Sequence, residues 1–263
     1  MSRRNRLIVV FGTIIFISGY LLVSFMQRIY IVPILMYHSV TPKAKPGYRL
    51  AVTPKTFERQ MRFLKQNHYR VMPLEDIISL IKEKRKIPAK TVAITFDDGY
   101  KDNFNYAFPI LKRYQLPAAI FVIIQELGRP QNDRLSWSQI KEMQDSGLIT
   151  IGSHTIGPEP LINIKPEEEL KRQIFDSKRI LEEKLGRPVN LFSYPEGRFN
   201  QQIKDLVIAA KYKGAVATTP GKKYPRDDVF ILKRLRISEN NANLCIFWAE
   251  VSGYYKFFLE LRK

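Results

Sequence analysis

The chain has 263 residues, 45% of them hydrophobic and 12% aromatic, which excludes a disordered protein and leaves ample material for one barrel-sized domain. A single cysteine, Cys245, excludes an intramolecular disulfide framework and a multi-cysteine zinc module. Lys and Arg number 43 against 25 Asp and Glu, a formal charge of +18 that favours acidic surfaces without specifying a partner. No Lys- and Arg-rich stretch is interleaved with aromatics as in a nucleic-acid module, so no nucleic-acid partner is expected.

Residues 7–26 carry no charge, and at ~1.5 Å per residue a helix of that length spans ~30 Å, the thickness of a hydrocarbon core. Three arginines precede the run and only Arg28 follows it closely, which by the positive-inside rule puts the N-terminus in the cytoplasm. The run is long for a signal-peptide core and no A-x-A-like site follows it, so an uncleaved N-terminal transmembrane helix is expected over a cleaved signal peptide. The expected organisation is therefore a membrane anchor over residues 1–30 and an extracytoplasmic domain over residues 31–263.

Seven apolar runs follow in chain order: Ile31–Tyr37, Thr91–Phe96, Ala118–Ile123, Leu148–Gly152, Leu191–Tyr194, Gly214–Thr218 and Val229–Leu235. They are near-continuously hydrophobic, the pattern of parallel strands covered on both faces. Between them Phe57, Met61 and Leu64 recur at helical spacing, as do Leu170, Ile174, Leu181 and Leu185, and Pro54 and Pro166 stand where a first helical turn accepts them. The alternation predicts an α/β fold, a distorted or incomplete (β/α) barrel of about seven parallel strands.

Polar groups follow these strands directly. In TFDDG a buried strand ends at Asp97 and Asp98, with Gly99 letting the chain turn at once. Two adjacent carboxylates repel, and a bound cation that takes one and leaves the other as a base resolves the repulsion. Asp-Asp-Gly is also a turn sequence, and by itself the turn is the simpler reading. Ser153-His154-Thr155 follows LITIG, Tyr194-Pro195-Glu196-Gly197 ends LFSY, His38 ends the first strand, and the last run closes in Lys233-Arg234-Leu235-Arg236. Imidazole with carboxylate is ordinary ligation for a divalent ion, and exposed N–H groups of a Pro-Gly turn suit a developing oxyanion. A satisfied structural histidine and a plain loop explain the same residues singly.

Taken in order, PILMYHSV, VTPKTFERQMRFLKQNHYRVMPLEDI, TFDDGYKDNFNYAFPILKRYQLPAAIFV, LSWSQIKEMQDSGLITIGSHT, LGRPVNLFSYPEGRFN and LKRLRIS resemble polysaccharide deacetylases of the carbohydrate esterase 4 type. The early YH motif is similar to that of members acting on poly-N-acetylglucosamine. The resemblance implies hydrolysis of N-acetyl groups on a glucosamine-containing glycan with a divalent metal, by default Zn²⁺. It makes Asp97 the general base, Asp98 and His154 metal ligands, His38 the general acid, Arg236 the arginine orienting the base, and the Glu196 N–H the oxyanion donor. Tyr194, Pro195 and Trp137 would line the sugar site. Two departures stand out. The family's second metal histidine is missing, with Pro158 and Glu159 in its place, so Glu159 is the expected third ligand; and Glu196 replaces an aromatic. Both add acid or remove imidazole at one centre, so a glycan-binding family member without turnover is the alternative.

Overall fold

The computed structural model describes residues 11, 13, 16–21, 30–129, 133–218 and 227–255. Its strands are β1 Ile34–Tyr37, β2 Ser39–Val40, β3 Ala51–Val52, β4 Arg70–Val71, β5 Thr91–Phe96, β6 Ala118–Val122, β7 Ile149–Ser153, β8 Leu191–Ser193, β9 Gly214–Ala217, β10 Leu232–Lys233 and β11 Leu235–Arg236. The main sheet runs in the order β10-β9-β8-β7-β6-β5-β1-β11, all parallel, with β4 added on β5. Each of the seven apolar runs contains a strand. The last one splits: Leu232–Lys233 pairs with β9 at one end of the sheet and Leu235–Arg236 with β1 at the other, so a single residue, Arg234, bridges the two edges. The sheet is thereby a near-closed barrel of seven strand positions.

Alternation along the strands divides the apolar side chains between two layers. Ile34, Ala93, Ala119, Phe121, Leu191, Val216 and Leu232 gather with Leu74, Ile77 and Ile78 of helix Leu74–Lys82 into the smaller cluster, which fills the barrel. Leu35, Tyr37, Ile94, Phe96, Ile120 and Val122 belong to the larger cluster, packed under the surrounding helices. Helix Pro54–Gln66 illustrates the local logic. Thr53 caps it by accepting from the Thr56 N–H, Pro54 occupies the first turn, and Phe57, Met61 and Leu64 are fully buried on one face. Each such side chain contributes about 1.5–3 kcal/mol of burial. Leu170, Ile174, Leu181 and Leu185 are likewise buried, although Pro166 precedes helix Glu167–Lys171 as its cap instead of entering its first turn.

The transmembrane helix is corrected. Among the described residues no helix is long and apolar enough to cross a membrane, and residues 7–10, 12, 14, 15 and 22–26 of the expected span lie outside the described residues. The single-pass placement, with its extracytoplasmic domain and its membrane partner, rested on that span and falls with it.

Candidate active site

Strand register brings the polar groups to one rim. Tyr37 pairs with Phe96, so His38 and Asp97 leave their strands at the same level, with the Asp97 N–H donating to the Tyr37 carbonyl at 3.0 Å. Val122 pairs with Ser153 and Ser153 with Phe192, which sets His154 beside Ser193. Lys233 pairs with Ala217, and Arg234 follows. The rim is the C-terminal end of every strand, where a β/α barrel carries its chemistry.

Asp97 is 3% exposed and is gripped by Arg234, Nη1 to Oδ1 and Nη2 to Oδ2, both at 2.6 Å. The guanidinium also donates to Ser193 Oγ at 2.9 Å and Thr95 Oγ1 at 3.3 Å, and lies 5.6 Å from the Phe121 ring centre. Burial pushes the Asp97 carboxyl up, but the Arg234 guanidinium, by its charge and its hydrogen bonds, outweighs burial and holds the group down at about 2. Asp97 is a fixed anion inside the barrel mouth.

His154 Nδ1 lies 2.8 Å from the Ser193 carbonyl. A carbonyl only accepts, so Nδ1 carries the proton and the Nε2 lone pair is left facing Asp98 Oδ1 at 3.5 Å. An imidazole tied back to a carbonyl, with its other nitrogen beside a carboxylate oxygen, is the pairing that metal sites use. These two donors fit a divalent cation. The third expected one is absent from the rim: Glu159 is exposed and accepts from Asn163 Nδ2 at 2.8 Å, and among the described residues no group of three His, Cys, Asp or Glu stands close enough to hold a metal. Pro158, beside it, lines the cleft instead. Pro158 is exposed at the cleft border and has no donor atom to offer a metal.

His38 is buried, its Nδ1 has no partner, and burial above all lowers its pKa, only partly opposed by Asp97 and Asp98. Its backbone is held from the segment after TFDDG. Asn103 Nδ2 donates to the His38 carbonyl at 2.7 Å, and Asp102 accepts from Ser39 Oγ at 2.5 Å and the Val40 N–H at 3.1 Å. Residues Asn103–Ala107 form a π-helical turn, a distortion that often marks functional sites.

Three non-glycine residues with left-handed backbone stand at the rim: Asp98 (φ 69°), Thr155 (φ 71°) and Glu196 (φ 55°). Such conformations cost about 1–3 kcal/mol each and persist where surroundings enforce them. Thr155, β-branched, is held by its N–H on Ser153 Oγ (3.1 Å) and its hydroxyl on the Gly157 carbonyl (2.6 Å). At Glu196 the carbonyl accepts from Thr218 Oγ1 at 2.9 Å, and Gly197 (φ 68°) must be glycine because a Cβ there would meet Thr218 Oγ1 at 1.7 Å. The Glu196 side chain turns to Arg198 at 3.3 Å.

These groups line one cleft of about 720 Å³, bordered by His38, Asp97, Asp98, His154, Pro195 and Glu196. A polysaccharide deacetylase model matches residues 84–215, and YxkH of Bacillus subtilis (strain 168), which carries a polysaccharide deacetylase designation, is 34% identical over 206 residues, 78% of this chain and 71% of that protein. The chain belongs to the polysaccharide deacetylase family. The poly-β-1,6-N-acetyl-D-glucosamine N-deacetylase of Staphylococcus aureus (strain MRSA252) is 25% identical, with 72% of this chain and 69% of that one covered. The Streptococcus pyogenes deacetylase PplD, solved in complex with acetate, superposes with a TM-score of 0.72 at 29% identity, covering 80% of this chain and 93% of that one.

Within this deacetylase frame several expected residues stand elsewhere. The arginine on Asp97 is Arg234; Arg236, two positions on, pairs through its backbone with Met36 and is exposed at the cleft wall. Tyr194 is fully buried, stacked on Phe199 at 4.7 Å, and Trp137 packs against the core beside Gly128; neither borders the cleft. Sequence reasoning missed Arg234, Ser193, Thr95, Asp102 and Asn103. The KRLR run did signal Arg234, since a cation at a strand end beside TFDDG must find a carboxylate if buried.

Proposed function

We propose that the chain hydrolyses N-acetyl groups of a glucosamine-containing polysaccharide, using a divalent metal, by default zinc, with residues 31–263 as the catalytic unit. The observation that carries this reading is the pair of unlike carboxylates: Asp97 locked on Arg234, and its neighbour Asp98 beside the His154 lone pair. Family membership, the poly-N-acetylglucosamine deacetylase among the relatives, and the acetate in the PplD structure support the substrate class.

Asp97 accepts the proton of the attacking water, and Arg234 keeps its carboxylate ionised and aimed. A base held at about 2 needs an acidified water, and that acidification, with polarisation of the acetamide carbonyl, is the chemistry a divalent cation supplies when bound by Asp98 and His154. The Glu196 N–H donates to the developing oxyanion. His38, its pKa lowered by burial, takes up a proton from solvent through the open cleft as negative charge builds there and passes it to the leaving amine, while Asp97 returns to solvent the proton it took from the water. Arg198 neutralises the Glu196 carboxylate, which would otherwise oppose that oxyanion.

A glycan-binding protein without turnover is the second reading, favoured by the exposed position of Glu159 and the missing third donor among the described residues. Acetate release from N-acetylglucosamine oligomers by the full chain, with and without added Zn²⁺, separates the two. Metal-stimulated release that Asp97→Asn abolishes supports hydrolysis; binding of the oligomers with no release under either condition refutes it.

A further inference from the structure

Five arginines line the cleft against three carboxylates: Arg49, Arg134, Arg198, Arg234 and Arg236 with Asp97, Asp98 and Glu196. Two of the arginines are spoken for by Asp97 and Glu196. Arg49, Arg134 and Arg236 make no ion pair among the described residues. They stand on two flanks of the acetamide site. Arg236 is on β11 beside Met36, and Arg49 adjoins Leu50, whose carbonyl accepts from the Ser39 N–H; both belong to the His38 flank. Arg134 is on the Asp98 flank, where the chain is tied across TFDDGY by the Leu135 N–H on the Gly99 carbonyl and by a bridge between Tyr100 and Arg134.

Arg134 is also pre-positioned. Its guanidinium carbon lies 3.9 Å from the Tyr100 ring centre, and its Nε is buried with no hydrogen-bond partner. A guanidinium held in place against a ring presents N–H groups suited to a bidentate acceptor, which carboxylates and phosphates supply and neutral sugars do not. Like charges gathered in a concave, partly apolar site repel one another and focus a positive potential that an anionic ligand relieves.

We propose that the cleft recognises an anionic N-acetylated glycan, with a carboxylate or phosphate on the units flanking the acetamide, held by Arg134 on one side and by Arg49 and Arg236 on the other. The inference rests on the deacetylase reading for the central acetamide, but its test reads binding alone. Calorimetry on the full chain compares a neutral N-acetylglucosamine tetramer, a tetrasaccharide alternating N-acetylglucosamine with glucuronic acid, and an N-acetylglucosamine tetramer phosphorylated at O6. At least one anionic oligomer binds tenfold or more tightly than the neutral one at low salt, the gap narrows in high salt, and the tighter of the two anions identifies the group recognised. Arg134→Gln and Arg236→Gln each lower that preference several-fold, while Lys141→Gln, a cation already paired with Asp145, does not. Equal affinity for neutral and anionic oligomers, failure of both anionic oligomers to bind, or a preference untouched by the arginine substitutions overturns it. Absence of acetate release from all three would sink the hydrolase reading and leave this measurement standing.

Discussion

Removing the Arg234 guanidinium exposes the barrel's main electrostatic dependence. The pair with Asp97 is 1% and 4% exposed, so Arg234→Met strands a carboxylate away from water. Breaking a buried pair from one side costs about 3–5 kcal/mol, which for a domain of this size lowers the melting temperature on the order of 10 °C. The Asp97→Asn/Arg234→Met double variant carries no lone charge and recovers much of that loss, giving a coupling of at least ~2 kcal/mol in a double-mutant cycle. Arg236→Met, an exposed side chain without an ion pair among the described residues, stays within about 0.5 kcal/mol of the parent. The pH dependence has a definite sign. Asp97 is depressed from 3.8 to about 2 in the folded chain, so it contributes about 2 kcal/mol of stability above pH 4 that is lost as pH falls toward 2. In Arg234→Met burial is no longer outweighed by the guanidinium, the carboxyl rises, and the acid limb of kcat/KM for acetate release moves to higher pH. Chemical denaturation of the four cycle members, with Arg236→Met alongside, measures the stability terms. If Arg236→Met costs as much as Arg234→Met, or if the two changes in the cycle simply add, the assignment of the buried pair is wrong.

Asp97→Asn is expected to abolish acetate release while bound metal, measured by atomic absorption, is unchanged, because the ligands are its neighbours. His154→Ala lowers that metal content and Glu159→Ala does not; a loss of metal in Glu159→Ala would place its carboxylate at the rim after all. Asn103→Ala frees the His38 backbone, so kcat falls roughly tenfold, the value of a positioning hydrogen bond of about 1–1.5 kcal/mol, while KM holds. An unchanged kcat would remove the positioning role. Burial raises the Glu250 carboxyl to about 7, with Asn241 on one oxygen and the other unpartnered. Such a group costs stability as pH rises from its unfolded value of 4.5 through 7. Glu250→Gln should therefore melt higher than the parent at pH 8, by an amount that shrinks toward pH 5; a gain independent of pH would exclude charge burial as the cause.

The strands were legible because burial on both faces demands continuous apolar runs, and each of the seven contains one. The ends of those runs also named Asp97, Asp98, His154, His38 and the Pro195-Glu196 turn, since a polar group directly after a buried strand of a β/α barrel can only stand at the C-terminal rim. Ligand completion was not legible: Pro158 and Glu159 are adjacent, and only the path of the chain decides that proline lines the cleft while glutamate meets Asn163. Aromatic lining failed for a similar reason, because Tyr194 next to the rim is as apolar as it is polar and the core took it.

What the amino-acid order determined by itself is the parallel barrel and the edge on which its chemistry gathers, because hydrophobic periodicity and strand termini are local properties. What only the tertiary structure decided is which of two arginines serves the base. Arg234 and Arg236 are two apart and indistinguishable by alternation; their difference arises where the strand leaves β9 for β1, at Arg234, because closure of the barrel turns that one guanidinium into the interior and leaves the next in water.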